Sequence, residues 1–276
     1  MSQWLKHCLV ALFSVCILAA CSSAPKKEAT ERELYDAAKK AIKLRNFQQA
    51  TISLEELESR FPFGKYAEQA QLDLIYARYS ALDLDGAILA ADRFIRLHPQ
   101  SPSVDYAYYI RGIANYNLDV GIATQFFTDV DITSRDPGNM RLAFDDFGEL
   151  ITRYPQSQYA SDARKRMVMI RNRLAAYELH AARYYIRREA YTAAANRAAY
   201  VVESFPSSPE VEEALAMMVE LYGRLGLDKL QQDALTVLTA NFPNGLAFDK
   251  NGKFKEQFIN EESRSLLSVI SFGFLE

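Results

Sequence analysis

Chain-breaking residues are scarce in this sequence: 276 residues include only 11 Gly and 9 Pro. That excludes a many-turned all-β fold and a chain rich in glycine phosphate loops. Neither sign of charge dominates, since 32 Lys and Arg face 35 Asp and Glu for a net −3. No global positive field exists to drive nucleic-acid binding, and no nucleic-acid partner is expected. Apolar runs are short. The longest near the N-terminus, Cys8 to Ala20, spans 13 residues, where a membrane helix needs about 20. His98 and His180 are the only histidines beyond residue 20. No Cys pair, HExxH or carboxylate loop has metal-ligand spacing, and no GxSxG, GxGxxG or GxxxxGK occurs. No catalytic residue, metal or cofactor is therefore expected. Asp145-Asp146 reads as a solvated helix face, because acid–base work needs a base placed beside a reacting group. What remains is a globular composition, 49% apolar and 24% charged, with 16 Tyr and 16 Phe beside one Trp.

The first segment reads as an address. Lys6 precedes the apolar stretch, which fits a cleaved secretory signal over residues 1–20. The ending Leu18-Ala19-Ala20-Cys21 resembles the bacterial lipobox. That resemblance implies cleavage before Cys21, a diacylglyceryl group on its thiol and an acylated amine. Ser22 in second place implies the outer membrane. The alternative is an ordinary signal with an incidental cysteine. Cys8 and Cys16 leave with the signal, so no disulfide can form within the mature chain. Residues 21–30 read as a small, polar tether.

Five prolines follow a ring-bearing residue: Phe61-Pro62, His98-Pro99, Tyr154-Pro155, Phe205-Pro206 and Phe242-Pro243. Twelve residues before the first four stand Ala50, Ala87, Ala143 and Ala194, and eight after stand Ala70, Ala107, Ala163 and Ala214. Alanine at a helix crossing lets backbones approach, and proline stops a helix. Helix, turn, helix, Pro is the tetratricopeptide pattern of about 34 residues. The spacings of 37, 56, 51 and 37 put insertions in the third and fourth copies. The third insertion lies near residues 117–139. In the fourth, one helix over 159–174 precedes a restart at 177–188. The fold expected is an all-α, right-handed superhelical solenoid of about five tetratricopeptide repeats. Leu266, Leu267, Ile270 and Phe274 suggest a helix in the tail, residues 246–276, that caps the last repeat or binds a partner.

Two surfaces stand out. The first helices of the early repeats carry Tyr35, Tyr76, Tyr79, Tyr106, Tyr109 and Tyr116, with Phe63 and Tyr66 in the first inter-repeat turn. These rings suit a groove for an extended, aromatic-bearing peptide, or they fill the helix-pair core. Charge is also segregated: residues 119–149 carry net −5 and residues 159–190 net +5. Either the two stretches pair, or part of the basic surface, with Arg187 and Arg188, meets an acidic partner.

Local strings add a resemblance. Phe61-Pro62-Phe63-Gly64-Lys65-Tyr66, Gln71 to Ala77, Asp92 to Leu97, Phe126-Phe127, Arg135-Asp136-Pro137 and Asn196-Arg197 resemble the BamD family, over about residues 18–243. The resemblance implies a non-enzymatic scaffold, lipid-anchored to the periplasmic face of the outer membrane, that helps β-barrel proteins fold and insert. Implied partners are the POTRA domains of the central barrel subunit, other lipoprotein subunits and unfolded outer-membrane clients. The tyrosine set puts the client groove in the N-terminal half, residues 31–158, and partner docking is expected in 159–245, where the resemblance implies that Arg197 meets the barrel subunit. The alternative is a periplasmic adaptor lipoprotein that scaffolds cell-wall enzymes.

Overall fold

A computed structural model of the chain describes residues 28–121 and 136–259. The signal peptide, Cys21, the Phe126-Phe127 pair and the tail positions Leu266 to Phe274 lie outside the described residues. Ten helices occur among the described residues: α1 (Glu31–Lys43), α2 (Phe47–Arg60), α3 (Ala67–Ser80), α4 (Leu84–Leu97), α5 (Val104–Val120), α6 (Gly138–Arg153), α7 (Ala160–Arg187), α8 (Tyr191–Ser204), α9 (Val211–Arg224) and α10 (Asp228–Asn241). An isolated antiparallel bridge, Phe248 with Phe254, is the only β pairing among them. The expected all-α repeat fold is present. The chain divides into two units, Met1–Ala77 and Arg78–Glu276.

Two turns, each used repeatedly, generate this order. Within a helix pair the chain reverses through one residue at positive φ: Arg45 (57°), Leu82 (62°), Glu189 (59°) and Gly226 (69°). The next residue's N–H reaches back five positions, from Asn46 to Ala41, Asp83 to Arg78, Ala190 to Tyr185 and Leu227 to Tyr222, at 2.9–3.0 Å. This is the Schellman closure, which satisfies the last helical carbonyls. Only the last copy supplies glycine; a left-handed residue with a Cβ costs about 1 kcal/mol. Asn46 and Asp83 then cap the next helix by accepting the N–H of Gln49 and Gly86.

Between pairs the proline turn recurs. The residues before the five prolines share φ between −128° and −132° and ψ between 48° and 60°. The following ring forbids the helical conformation to its predecessor, so each helix stops there. Three residues on, an N–H returns to the pre-proline carbonyl at 2.9–3.0 Å in every copy. At the first turn Gly64 lets the Glu31 carboxylate pass, where a Cβ would meet it at 2.2 Å. Glu31 Oε1 can then accept the Tyr66 N–H at 2.6 Å.

All eight spaced alanines are buried. They occupy the crossings where a larger side chain would force the helices apart. In the fifth copy the small residue moves to the other helix: Gly223 on α9 makes room for Gln231 on α10.

The structure differs from the sequence expectation in one described region. The fourth insertion does not form a separate helix. One continuous helix, α7, runs 28 residues, about 42 Å at 1.5 Å per residue. It packs against α6 and against α8. No proline or glycine lies between Leu174 and Tyr177, so nothing breaks it. The described part of the tail, residues 246–259, is not helical, and the helix expected from Leu266, Leu267, Ile270 and Phe274 lies outside the described residues. It lies against the last pair, with Phe248, Phe254 and Phe258 on the cluster formed by Val211, Leu215, Val219, Ala234 and Leu238.

Candidate functional site

Most of the tyrosines are half-buried and serve as ties. In the first unit Tyr35 of α1 stacks on Tyr66 at 4.7 Å and 16°. Burial, and then the Asp73 carboxylate, push the Tyr35 phenol up to about 12, so it remains a neutral donor. Tyr76 is exposed and edge-on to Phe47 at 5.8 Å. Phe63 stands at the tip of the first proline turn, fully exposed.

The second unit builds the same stack from Tyr109 of α5 and Tyr159, at 4.6 Å and 17°. Tyr66 and Tyr159 each lie four residues after their proline. That repeat of position was the signal for Tyr159, which the sequence reading left out. The Tyr109 hydroxyl donates to Asp162 at 2.8 Å, and Arg166 holds the same carboxylate at 2.6 Å. Burial, then Asp162, raise the Tyr109 phenol above its ordinary value. Tyr106 also packs on Tyr159, Arg166 covers Tyr116, and Tyr79 accepts from Asn117. These contacts fix turns and helix ends, and of the named tyrosines only Tyr76 is exposed.

Asp145 and Asp146 part company. Asp145 is solvated as expected, but Asp146 is buried, which corrects the sequence reading. Its Oδ1 accepts Arg111 Nε at 2.7 Å and its Oδ2 accepts Asn115 Nδ2 at 2.9 Å. Arg111 also reaches Asp92. Burial raises the Asp146 carboxyl above the ordinary range, against the pull of Arg111 and Asn115.

The basic surface is organised around Glu178, buried in the middle of α7. Its Oε2 accepts Arg197 Nη1 from α8 at 2.7 Å, and its Oε1 accepts Arg141 Nη2 from α6 at 3.4 Å. The two arginines remain 43% and 48% exposed. The hydrogen bond it donates to Glu178 raises the Arg197 guanidinium above its ordinary value and keeps it charged. Arg197 is therefore partly open to solvent from a fixed seat. Arg166 pairs with Asp162 one turn away on α7, and Arg183 reaches across to Glu213 on α9 at 3.1 Å. Arg188 lies over the Tyr184 ring at 5.4 Å. Among the described residues no group of three His, Cys, Asp or Glu could hold a metal ion, and no helix is long and apolar enough to cross a membrane.

Helix pairs joined by recurrent proline turns, with aromatic and arginine-bearing surfaces, define a repeat scaffold of the tetratricopeptide type. A family model described as outer membrane lipoprotein, YfiO, matches residues 27–238, and the chain belongs to that family. It is 42% identical over 211 residues to the outer membrane protein assembly factor BamD of Neisseria meningitidis serogroup A, covering 76% of this chain and 79% of that protein. The BamD of Xylella fastidiosa is 37% identical over 243 residues, 86% of this chain and 83% of that one. That of Vibrio cholerae is 39% identical over 221 residues, 79% and 91%. Among solved structures, a tetratricopeptide repeat protein from Parabacteroides merdae aligns with TM-score 0.39 and 14% identity over 78% of this chain and 67% of that chain.

Proposed function

We propose that this chain is a non-enzymatic scaffold subunit that helps assemble β-barrel proteins in the outer membrane. The observation that carries the reading is its membership of the outer membrane lipoprotein family, with relatives named as assembly factors. Cys21 anchors it by lipid at the periplasmic face. Several acyl chains on one residue make a stable anchor, because each buried CH₂ contributes about 0.8 kcal/mol. The C-terminal repeats dock the POTRA domains of the barrel subunit, with Arg197 seated by Glu178 as the central cation and Arg187 and Arg188 adding positive field. The N-terminal repeats receive unfolded clients, and the exposed edge of Tyr76 offers an aromatic contact to them.

Mild-detergent purification should recover a barrel protein with POTRA domains. Arg197→Glu should weaken that complex by at least about tenfold, because truncating one side of a desolvated charge pair costs about 2–5 kcal/mol. Its helical spectrum should be unchanged. Cys21→Ser should release soluble protein or leave the precursor uncut. A complex as tight as wild type with Arg197→Glu removes Arg197 from the interface.

A further inference from the structure

We propose that the first proline turn, with Phe63 at its tip, docks on the surface of the bilayer that holds the lipid anchor. The five turns allow an internal comparison. The residue after proline is Phe63, Gln100, Gln156, Ser207 and Asn244 in turn. All five are exposed, and four are polar. The turn geometry is common to all five, so the fold does not require an apolar residue there. Phe63 is 99% exposed, and an isolated phenyl ring held fully in water gives the folded chain nothing.

The length of chain before the described residues says what covers it. Seven residue-to-residue steps lead from Cys21 to Glu28, a reach of about 25 Å when fully extended. Glu28 pairs with Arg60 at 3.3 Å, and Arg60 is the last residue of α2, directly before the turn. Glu31, at the start of α1, holds the far side of the same turn through the Tyr66 N–H. The chain thus leaves toward its anchor from beside the turn. The nearby acids are engaged, Glu28 and Glu56 with Arg60 and Glu31 with Tyr66. Lys65, two residues after Phe63, is exposed, with its Nζ 5.8 Å over the Tyr66 ring. An aromatic tip with an exposed lysine in the same turn suits the headgroup boundary. One ring would not recruit the protein, but the anchor keeps it at high effective concentration near the surface, where it needs only to orient the scaffold.

This rests on the lipidation of Cys21 proposed above, and the test separates the two. The sequence's single Trp is Trp4, in the cleaved signal, so Phe63→Trp gives the mature protein one fluorophore. Full-length lipoprotein in vesicles of phosphatidylethanolamine and phosphatidylglycerol should show blue-shifted emission, quenched at least about twofold by brominated lipid. Gln100→Trp, in the equivalent turn, should emit as in water. Vesicle flotation and the mass of the N-terminal residue report lipidation independently. Protein that floats while both variants emit alike overturns the docking and leaves the anchor standing. If no lipid is found, the same chain from Ser22, tethered by a histidine tag to nickel-chelating lipid, decides the docking alone: quenching supports it and its absence overturns it. A blue shift that appears only with a client peptide or a POTRA domain assigns Phe63 to a protein partner and overturns the membrane reading.

Discussion

Asp146 and Glu178 are both buried carboxylates on helix faces that otherwise pack apolar residues, and both are answered by arginine. Their stoichiometry is opposite. At Asp146 one guanidinium, Arg111, serves two carboxylates, Asp146 and Asp92, and is itself only 19% exposed. Arg111 also lies 5.2 Å over the Tyr108 ring. At Glu178 one carboxylate serves two guanidiniums, each nearly half in water. A guanidinium has five donors in a rigid fork, so the second knot leaves donors and a positive charge facing out, while the first is closed. The first ties α4, α5 and α6 together. The second ties α6, α7 and α8 and presents what is left over.

Removing each carboxylate breaks the comparison open. Asp146→Ala should have the largest effect, a loss of about 3 kcal/mol in chemical denaturation, because it leaves the buried Arg111 with Asp92 alone and removes the acceptor of the buried Asn115 amide. Replacing the pair together, Asp146→Leu with Arg111→Met, should recover most of that loss, since an apolar pair avoids the desolvation penalty; Asp92 is exposed enough to hydrate and also pairs with Arg96 at 3.3 Å. Glu178→Gln should cost less, about 1–2 kcal/mol, because Arg141 and Arg197 can turn to water. Its larger consequence should be looser seating of Arg197, read as weaker binding of the barrel subunit. Equal losses for Asp146→Ala and Glu178→Gln would mean that the two knots are alike.

The effect of pH is smaller and has a definite sign. Burial raises the Asp146 carboxyl in the folded chain, so the native state binds its proton more readily than the unfolded one. This group's contribution to stability is then greatest below the ordinary carboxylate value, about 4. It falls as pH rises through the raised folded value. Relative to Asp146→Asn, the natural chain should gain stability on acidification toward pH 4 in parallel denaturation series. A relative loss would show that Arg111 outweighs burial.

The repeat was legible because its signals are backbone signals. Pro62, Pro99, Pro155, Pro206 and Pro243 each dictate the conformation of the residue before them, and the alanines report crossings whose partners lie at a fixed distance along the chain. The polar knots are hidden from a local reading, because their partners are 19–39 residues away and come from other elements of the chain. A local trace was nevertheless present. Asp146 stands among Ala143, Phe147 and Leu150, Glu178 among Ala175, Leu179 and Ala182, and Glu220 beside Met217 and Leu221, all buried. An acid three residues into a stripe of period 3.6 faces inward and requires a partner. The unbroken α7 has a local trace of its own: the length of the insertion suggests an extra helix, but Ala175-Ala176 offer no breaker to end one.

Glu220 sharpens the comparison because no arginine answers it. Its carboxylate accepts three backbone N–H groups, from Gln257 on Oε1 and from Phe258 and Ile259 on Oε2, the latter two at 2.9 and 3.0 Å. Burial raises its carboxyl, with the three N–H groups opposing. The segment it holds carries Phe258 onto the clusters of the last two helix pairs. Glutamine in its place has one oxygen and one amide group, so at least one of the three donors would face another donor. Glu220→Gln should therefore release residues 257–259 while leaving the helices intact. Global stability should change by about 1 kcal/mol or less, the smallest effect of the set, yet hydrogen exchange at these three amides should accelerate by at least about tenfold, since local opening is governed by local contacts. Unchanged exchange would mean that the packing of Phe248, Phe254 and Phe258 holds the segment without the carboxylate, and Glu220 would then be a buried charge whose role is to orient α9 alone.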